Sequence, residues 1–270
     1  YAETTRRAVA VQVHGTAYSE RSLISIAYTI EQGTKKRKPA SELNPSMYRC
    51  AKTVPAPPFA ERGDCNPTYD EIKQLVGDMP EVPFSLEMES AKSLQDRLTE
   101  GSLTSETLTK AYLSRIAVAN AEGPSIQAVR EINLNAIEEA KTLDAERATS
   151  GARGPLHGLP VLVNDTIDAR GLPTTGGSIA LQDAKPSEDS TVVAKLKAAG
   201  AIVLGKTNVT EFNGIFSTTT PEGYSSLGGQ VMLPSDTDKS PAGSSAGSAA
   251  ATSSGMAALT VGTETGTDAA

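Results

Sequence analysis

Two stretches decide the fold: "LPVLVNDTI" at residues 159–167 and "STVVAKLKAAGAIVLGKT" at residues 190–207. The first is a short, Val- and Leu-rich run that enters a polar loop, which reads as a strand. In the second, residues 190–200 carry helical spacing and stop at Gly200, a residue suited to a helix C-terminus. Residues 201–207 read as another strand. Strand, helix and strand at these lengths make a parallel pair joined by a crossover helix, hence an α/β fold.

Working outward, "NLNAIEEAKTLDAERATSG" (133–151) reads as a helix stopped near Gly151. In "SLTSETLTKAYLSRIAVAN" (102–120), Thr104 is placed to cap a helix, with Leu103 and Leu108 stapled across the cap. Leu108, Tyr112, Leu113 and Ile116 share the face to be buried. Downstream, the Gly/Ser tract leads into "MAALTVGTE", a helix-to-strand transition. Near the start, "AVAVQV" (8–13) reads as a strand. A helix follows, capped by Ser19, with Leu23, Ile26, Ala27 and Ile30 on one face and Gly33 helping to end it. Prolines at 39, 45, 55, 57, 58, 67, 80 and 83 mark a linker or wrapping arm. The expected division is a strand–helix unit at 1–38, a Pro-rich arm at 39–84 and a core at 85–270.

Composition narrows the function. With 38% apolar and 21% charged residues among 270, the chain has the make-up of a soluble globular protein. A net charge of −7 and only 4% aromatics argue against a nucleic-acid surface. The basic run "KKRK" (35–38) reads as a solvated helix end. No apolar run approaches the ~20 residues of a membrane span. Cys50 and Cys65 flank the Pro-rich arm; a disulfide in a secreted protein and two thiols in a cytoplasmic one both remain open. Two cysteines and two distant histidines give no metal-ligand spacing.

Five motifs occur in order: "RGPLHGLPVLVNDTID" (153–168), "GLPTTGGSIAL" (171–181), "LKAAGAIVLGKTNVTEF" (196–212), "SPAGSSAGSAAA" (240–251) and "VGTETGTDAA" (261–270). Over roughly residues 90–270 the chain resembles the amidase signature family, the Ser–cis-Ser–Lys amide hydrolases. The resemblance implies a mixed β-sheet core covered by α-helices on both faces, no cofactor or metal, and a small amide or carboxylate as ligand. Residues 1–38 resemble the family's last strand and helix, placed first here as in a circular permutation. The family's large middle segment has no counterpart in the sequence. A homo-oligomer or a complementing chain is therefore among the possible assemblies.

In that family a serine attacks the amide carbonyl, and a buried neutral lysine takes its proton through a second serine held by a cis peptide bond. Backbone N–H groups ahead of the nucleophile hold the oxyanion. Carried over position by position, the relay serine is Ser244, followed by Ser245. The base position holds Asn164. The nucleophile position, 24 residues beyond Ser244, holds Asp268, preceded by Thr265, Gly266 and Thr267 as the oxyanion segment. An amide cannot take up and return a proton at neutral pH, so the substitutions at 164 and 268 imply lost or impaired hydrolysis. An amide hydrolase by descent, a non-catalytic binding pseudoenzyme and half of a split enzyme all stay open. The remaining candidates have blander readings. Lys206 resembles a family lysine that is not the base. His157 reads as a structural hydrogen-bonding residue, and His14 follows the first strand. Asp165 and Asp168 suit bonds to backbone amides. The sequons at Asn164 and Asn208 fall in segments expected to be buried.

Overall fold

A computed structural model describes residues 13, 19–35, 38–40, 66–217 and 219–264. Its centre is a mixed sheet of β1 (Val129–Ile132), β2 (Pro160–Asn164), β3 (Ile202–Thr207) and β6 (Leu259–Val261), in the order β1-β3-β2-β6. The strands β2 and β3 are parallel, as the 159–207 stretch demands, and β6 joins β2 in parallel on the other side. At the β3 edge, β1 runs antiparallel. A small hairpin pairs β4 (Tyr224–Ser225) with β5 (Gly229–Gln230).

Alternation along the strands divides the core. Leu162, Ile202 and Leu204 point into a large cluster with Leu108, Tyr112, Leu113 and Ile116 of α4 (Ser105–Ile116) and Ala140 of α5 (Ala136–Ser150). Ala246, Ala250 and Ala251 of α7 (Ala246–Ser253) pack there too. Val161, Val163 and Val203 point the other way, against Val193 of α6 (Thr191–Ala198) and the loop residues Ile167, Ala169 and Leu172. The sheet thus carries helices on both faces. No helix among the described residues is long and apolar enough to cross a membrane.

Local chemistry sets the helix ends. The Thr104 hydroxyl accepts from Thr107 N–H at 3.1 Å at the start of α4, the cap read from the sequence. Gly151 ends α5 with φ +81°. A single π-helical turn, Ala117–Ala121, follows α4.

Two elements differ from expectation. The Pro-rich arm carries a helix, α2 (Tyr69–Val76), which buries Ile72 and Val76 in the large cluster. Its start is a full capping box between Thr68 and Glu71, an S/T-x-x-E signal masked by the neighbouring prolines. Nearby, α3 (Ala91–Glu100) starts with Ser90 and Ser93 in the same reciprocal arrangement. The helix after Ser19 does form, as α1 (Glu20–Thr34), but its apolar residues are not buried: Ile24, Ile26, Tyr28 and Ile30 are all exposed. It ends on Lys35 in the left-handed conformation, not at Gly33, and the Ser19 side chain makes no capping bond. The strand read at 8–13, apart from Val13, lies outside the described residues, as do His14, Cys50 and Cys65.

Candidate functional site

The sequence-predicted site gathers where α7 begins, against the C-terminal ends of β2 and β3 and the exit of β6. Asn164 closes β2 and is fully buried. Its Nδ2 donates to Ser245 Oγ at 2.9 Å. Its Oδ1 accepts from both the N–H and the hydroxyl of Thr166, at 2.9 and 2.8 Å. Ser245 Oγ in turn accepts from Thr263 N–H at 2.9 Å and donates to Thr263 O at 3.0 Å. The serine touching the base position is therefore Ser245, not the relay candidate Ser244. Ser244 is buried, and its carbonyl accepts from Thr210 N–H at 3.0 Å. No peptide bond among the described residues is cis, so the cis bond expected near Ser244 is absent; such bonds are costly before any residue but proline. Thr265, Gly266, Thr267 and Asp268 lie outside the described residues.

A second set of hydroxyls extends the cluster. Thr207 Oγ1 and Ser248 Oγ are 2.7 Å apart, and Ser248 donates to Val261 O at 3.3 Å. The first turn of α7 is thereby pinned to β2, β3 and β6 at once. It comes this close because position 247 is glycine: a Cβ there would sit 2.2 Å from Asn208 O and 2.6 Å from Ala128 O. The partners Thr207, Thr263 and Ser248 were not singled out from sequence. Their hydroxyls are ordinary letters in a Ser/Thr-rich tract, and only the tertiary arrangement selects them.

Lys206 stands on the opposite face, for a backbone reason. The β2–β3 register slips by one residue, from Val161↔Val203 to Leu162↔Gly205, leaving Leu204 as an extra residue on β3. Such a bulge reverses the side-chain alternation beyond it. Thr207 is thus delivered to α7, and Lys206 to the α6 side. Gly205 completes the bulge, since a Cβ on it would lie 2.1 Å from Glu131 O.

On that far side Lys206 is fully buried. Its Nζ donates to Ile167 O at 2.7 Å, Thr174 Oγ1 at 3.0 Å and Pro173 O at 3.3 Å, and lies 3.7 Å from Asp165 Oδ1. Burial pulls its pKa down to about 8, against the opposing pull of the Asp165 carboxylate. Asp165 also pairs with the buried Arg130, Nε to Oδ2 at 3.1 Å, and accepts from Gly177 N–H at 3.1 Å and from the Thr175 hydroxyl. It bonds backbone as read from sequence, but as part of a buried Arg–Asp–Lys cluster that ties β1, β2 and β3 to the 173–177 loop. Arg130 gave no signal, because "VREI" reads as an ordinary alternating strand. Asp168 is exposed.

His157 is buried, with Nε2 2.9 Å from Leu143 O and Nδ1 accepting from Arg153 N–H at 3.2 Å. Both ring nitrogens serve the turn before β2, the structural place read from sequence. Asn208 is buried as well, its carboxamide bonded to Gln127 O, Gly229 O, Val209 N–H and Ser225 Oγ.

Known proteins resemble part of this chain. The chain is 36% identical over 208 residues to a putative amidase of Arthroderma benhamiae, covering 68% of this chain and 34% of that one. To a putative amidase of Schizosaccharomyces pombe it is 37% identical over 183 residues, 67% of this chain and 31% of the other. Among solved structures, the native peptide amidase of Stenotrophomonas maltophilia superposes with a TM-score of 0.63 at 44% identity, covering 65% of this chain and 36% of that one. An amidase family protein from Bacillus anthracis gives 0.66 at 35% identity, with 73% and 41% covered. The chain spans about a third of the length of these curated relatives. The Amidase family model matches residues 107–267, a span that takes in all six described strands and the whole hydroxyl cluster. By that match and by these relatives, the chain belongs to the amidase family.

Proposed function

We propose that this chain carries the amide-hydrolase framework in a form that binds a small amide or carboxylate but turns it over poorly or not at all. The observation that carries the reading is the carboxamide of Asn164 at the base position. Its donor is held by Ser245 and its acceptor by Thr166. A serine hydroxyl attacks an amide only with an adjacent base to take its proton and return it to the leaving amine. A carboxamide does neither. The count from Ser244 to Asp268 removes the nucleophilic hydroxyl as well. Groups that act as a unit lose on the order of 10⁴–10⁶ in rate when one is removed.

The test uses a fluorophosphonate serine probe and a C-terminally amidated peptide as substrate. The expected result is no adduct and no ammonia release from the native chain. An adduct on any residue of 244–268 would overturn the reading.

A second reading has its own support. The outer side of β6 has no partner strand among the described residues, and Leu259 and Val261 there are only half-buried. An open strand edge presents unpaired N–H and C=O groups that another strand can pair with. Further strands, from the same polypeptide or a complementing one, would complete the sheet. Intact mass of natural material and of anything that co-purifies with it distinguishes the two sources.

A further inference from the structure

The Asn164–Ser245 pair lies at the carboxyl end of β2, the end at which parallel α/β sheets hold their ligands. Asn164 is closed off, but Ser245, Thr166 and Thr263 around it are only half-buried and open to solvent.

The segment 210–216 is tied to both sides of that pair. At its start, Thr210 N–H donates to Ser244 O at 3.0 Å, and the Thr210 hydroxyl donates to Gly243 O at 3.1 Å, directly ahead of Ser245. Two residues on, Phe212 N–H donates to Gly176 O at 2.8 Å. Gly176 N–H in turn donates to Asp165 O at 3.2 Å, directly after Asn164. The Phe212 ring lies against Gly176: a Cβ there would come within 3.2 Å of its Cδ1. Phe216 meets the Phe212 ring edge to face, with centroids 5.1 Å apart.

The backbone of the segment is strained. Phe212, Asn213 and Gly214 take φ of +48°, +56° and +77°, three left-handed residues in succession. Glycine and asparagine tolerate that region, whereas a bulky aromatic residue rarely adopts it. Asn213 Oδ1 is shielded from solvent and has no donor among the described residues. Beyond the turn, Ile215 is 74% and Phe216 79% exposed. A strained turn that carries two large apolar side chains into water is stabilised by any rearrangement that buries them.

We propose that residues 211–217 are a lid on the Asn164–Ser245 pair, and that Ile215 and Phe216 close over an aliphatic or aromatic side chain of the bound amide or carboxylate. The inference rests on the binding reading above and narrows its ligand to the apolar members of that class. Closure removes apolar surface of lid and ligand from water together, while the polar head of the ligand stays with the Ser245 and Thr263 hydroxyls.

The chain has no tryptophan, so Phe216→Trp places a single fluorescent reporter on the lid. The experiment titrates this variant with N-acetylphenylalanine amide and with N-acetylglycinamide and follows tryptophan emission. Saturation-transfer NMR on the unsubstituted chain records the binding of each amide independently. The expected result is a saturable blue shift with the phenylalanine amide and ~10-fold tighter binding of it than of the glycine amide. Phe216→Ser, at the same exposed position, should remove that preference, and it carries the test should Phe216→Trp fail to fold. Equal binding of the two amides, or binding with unmoved emission, overturns the lid and leaves the binding reading standing. Absence of binding by either amide overturns both. Emission that is blue-shifted and concentration-dependent before any amide is added also overturns the lid, by assigning Phe216 to a contact with a second copy.

Discussion

Asn164 and Lys206 show how little a residue's identity says before its surroundings are known. An asparagine where the family resemblance would put a base invites the idea of an empty role, yet this one links the end of β2 to Ser245 and, through it, to Thr263. Asn164→Ala strands these buried partners and opens a cavity, so we expect a loss of about 2–3 kcal/mol in urea unfolding. A cycle with Ser245→Ala should give a coupling of about 1 kcal/mol; additive effects would mean that the 2.9 Å bond contributes nothing. Lys206 makes a pH prediction. Unfolded, it titrates near 10.5; folded, near 8. Between those values the unfolded chain binds more protons, so its contribution to stability rises with pH, by at most ~1.4 kcal/mol per unit. Above pH ~10 the buried Tyr112, whose pKa burial raises, acts in the opposite sense, so the window to read is about pH 8–10. In Lys206→Met the rise should vanish; an unchanged slope would sink the assignment. Both residues stood out in the sequence as candidates. Their faces did not, because the bulge at Leu204 is a relation between two strands, invisible along either one.

At the scale of elements, several self-contained local signals held, although the Ser19 cap and the Gly33 stop of α1 did not. The Thr104 cap, the Gly151 stop and the strand–helix–strand of 159–207 are each written in a few consecutive letters, and each formed. Thr104→Ala should cost about 1 kcal/mol, read from the shift in denaturant midpoint. Other readings failed for want of context. The helix α2 was hidden among prolines, although its capping box is as explicit as any in the chain. Conversely α1 has an apolar face with no buried residue, because periodicity states which side would be buried and not what buries it. Edges of sheets are equally silent in sequence. Asn120 closes half of the β1 edge from a π-helical turn nine residues upstream. Asn120→Ala leaves the Val129 N–H and C=O unpaired, for about 2–3 kcal/mol. It should also raise self-association, measured by sedimentation, as the open edge lengthens.

For the whole molecule, the described contacts centre on residues 66–264, and α1 buries nothing. We propose that residues 1–38 form a separate unit, as the sequence division has it. Removing them should move the unfolding midpoint by less than ~2 °C. Amide exchange in α1 should be as fast as in a free peptide of its length, since short isolated helices are marginal in water. Slow exchange would show that α1 is docked. The core itself leaves little slack where backbone crosses backbone. At Gly205 and Gly247 the space for a methyl group is already filled by carbonyl oxygens. In a saturation mutagenesis library selected for folded protein, those two columns should be emptied of every other letter. The serines around them, including the relay candidate Ser244, should tolerate replacement far better. Read from such a library alone, the glycines would look like the active site.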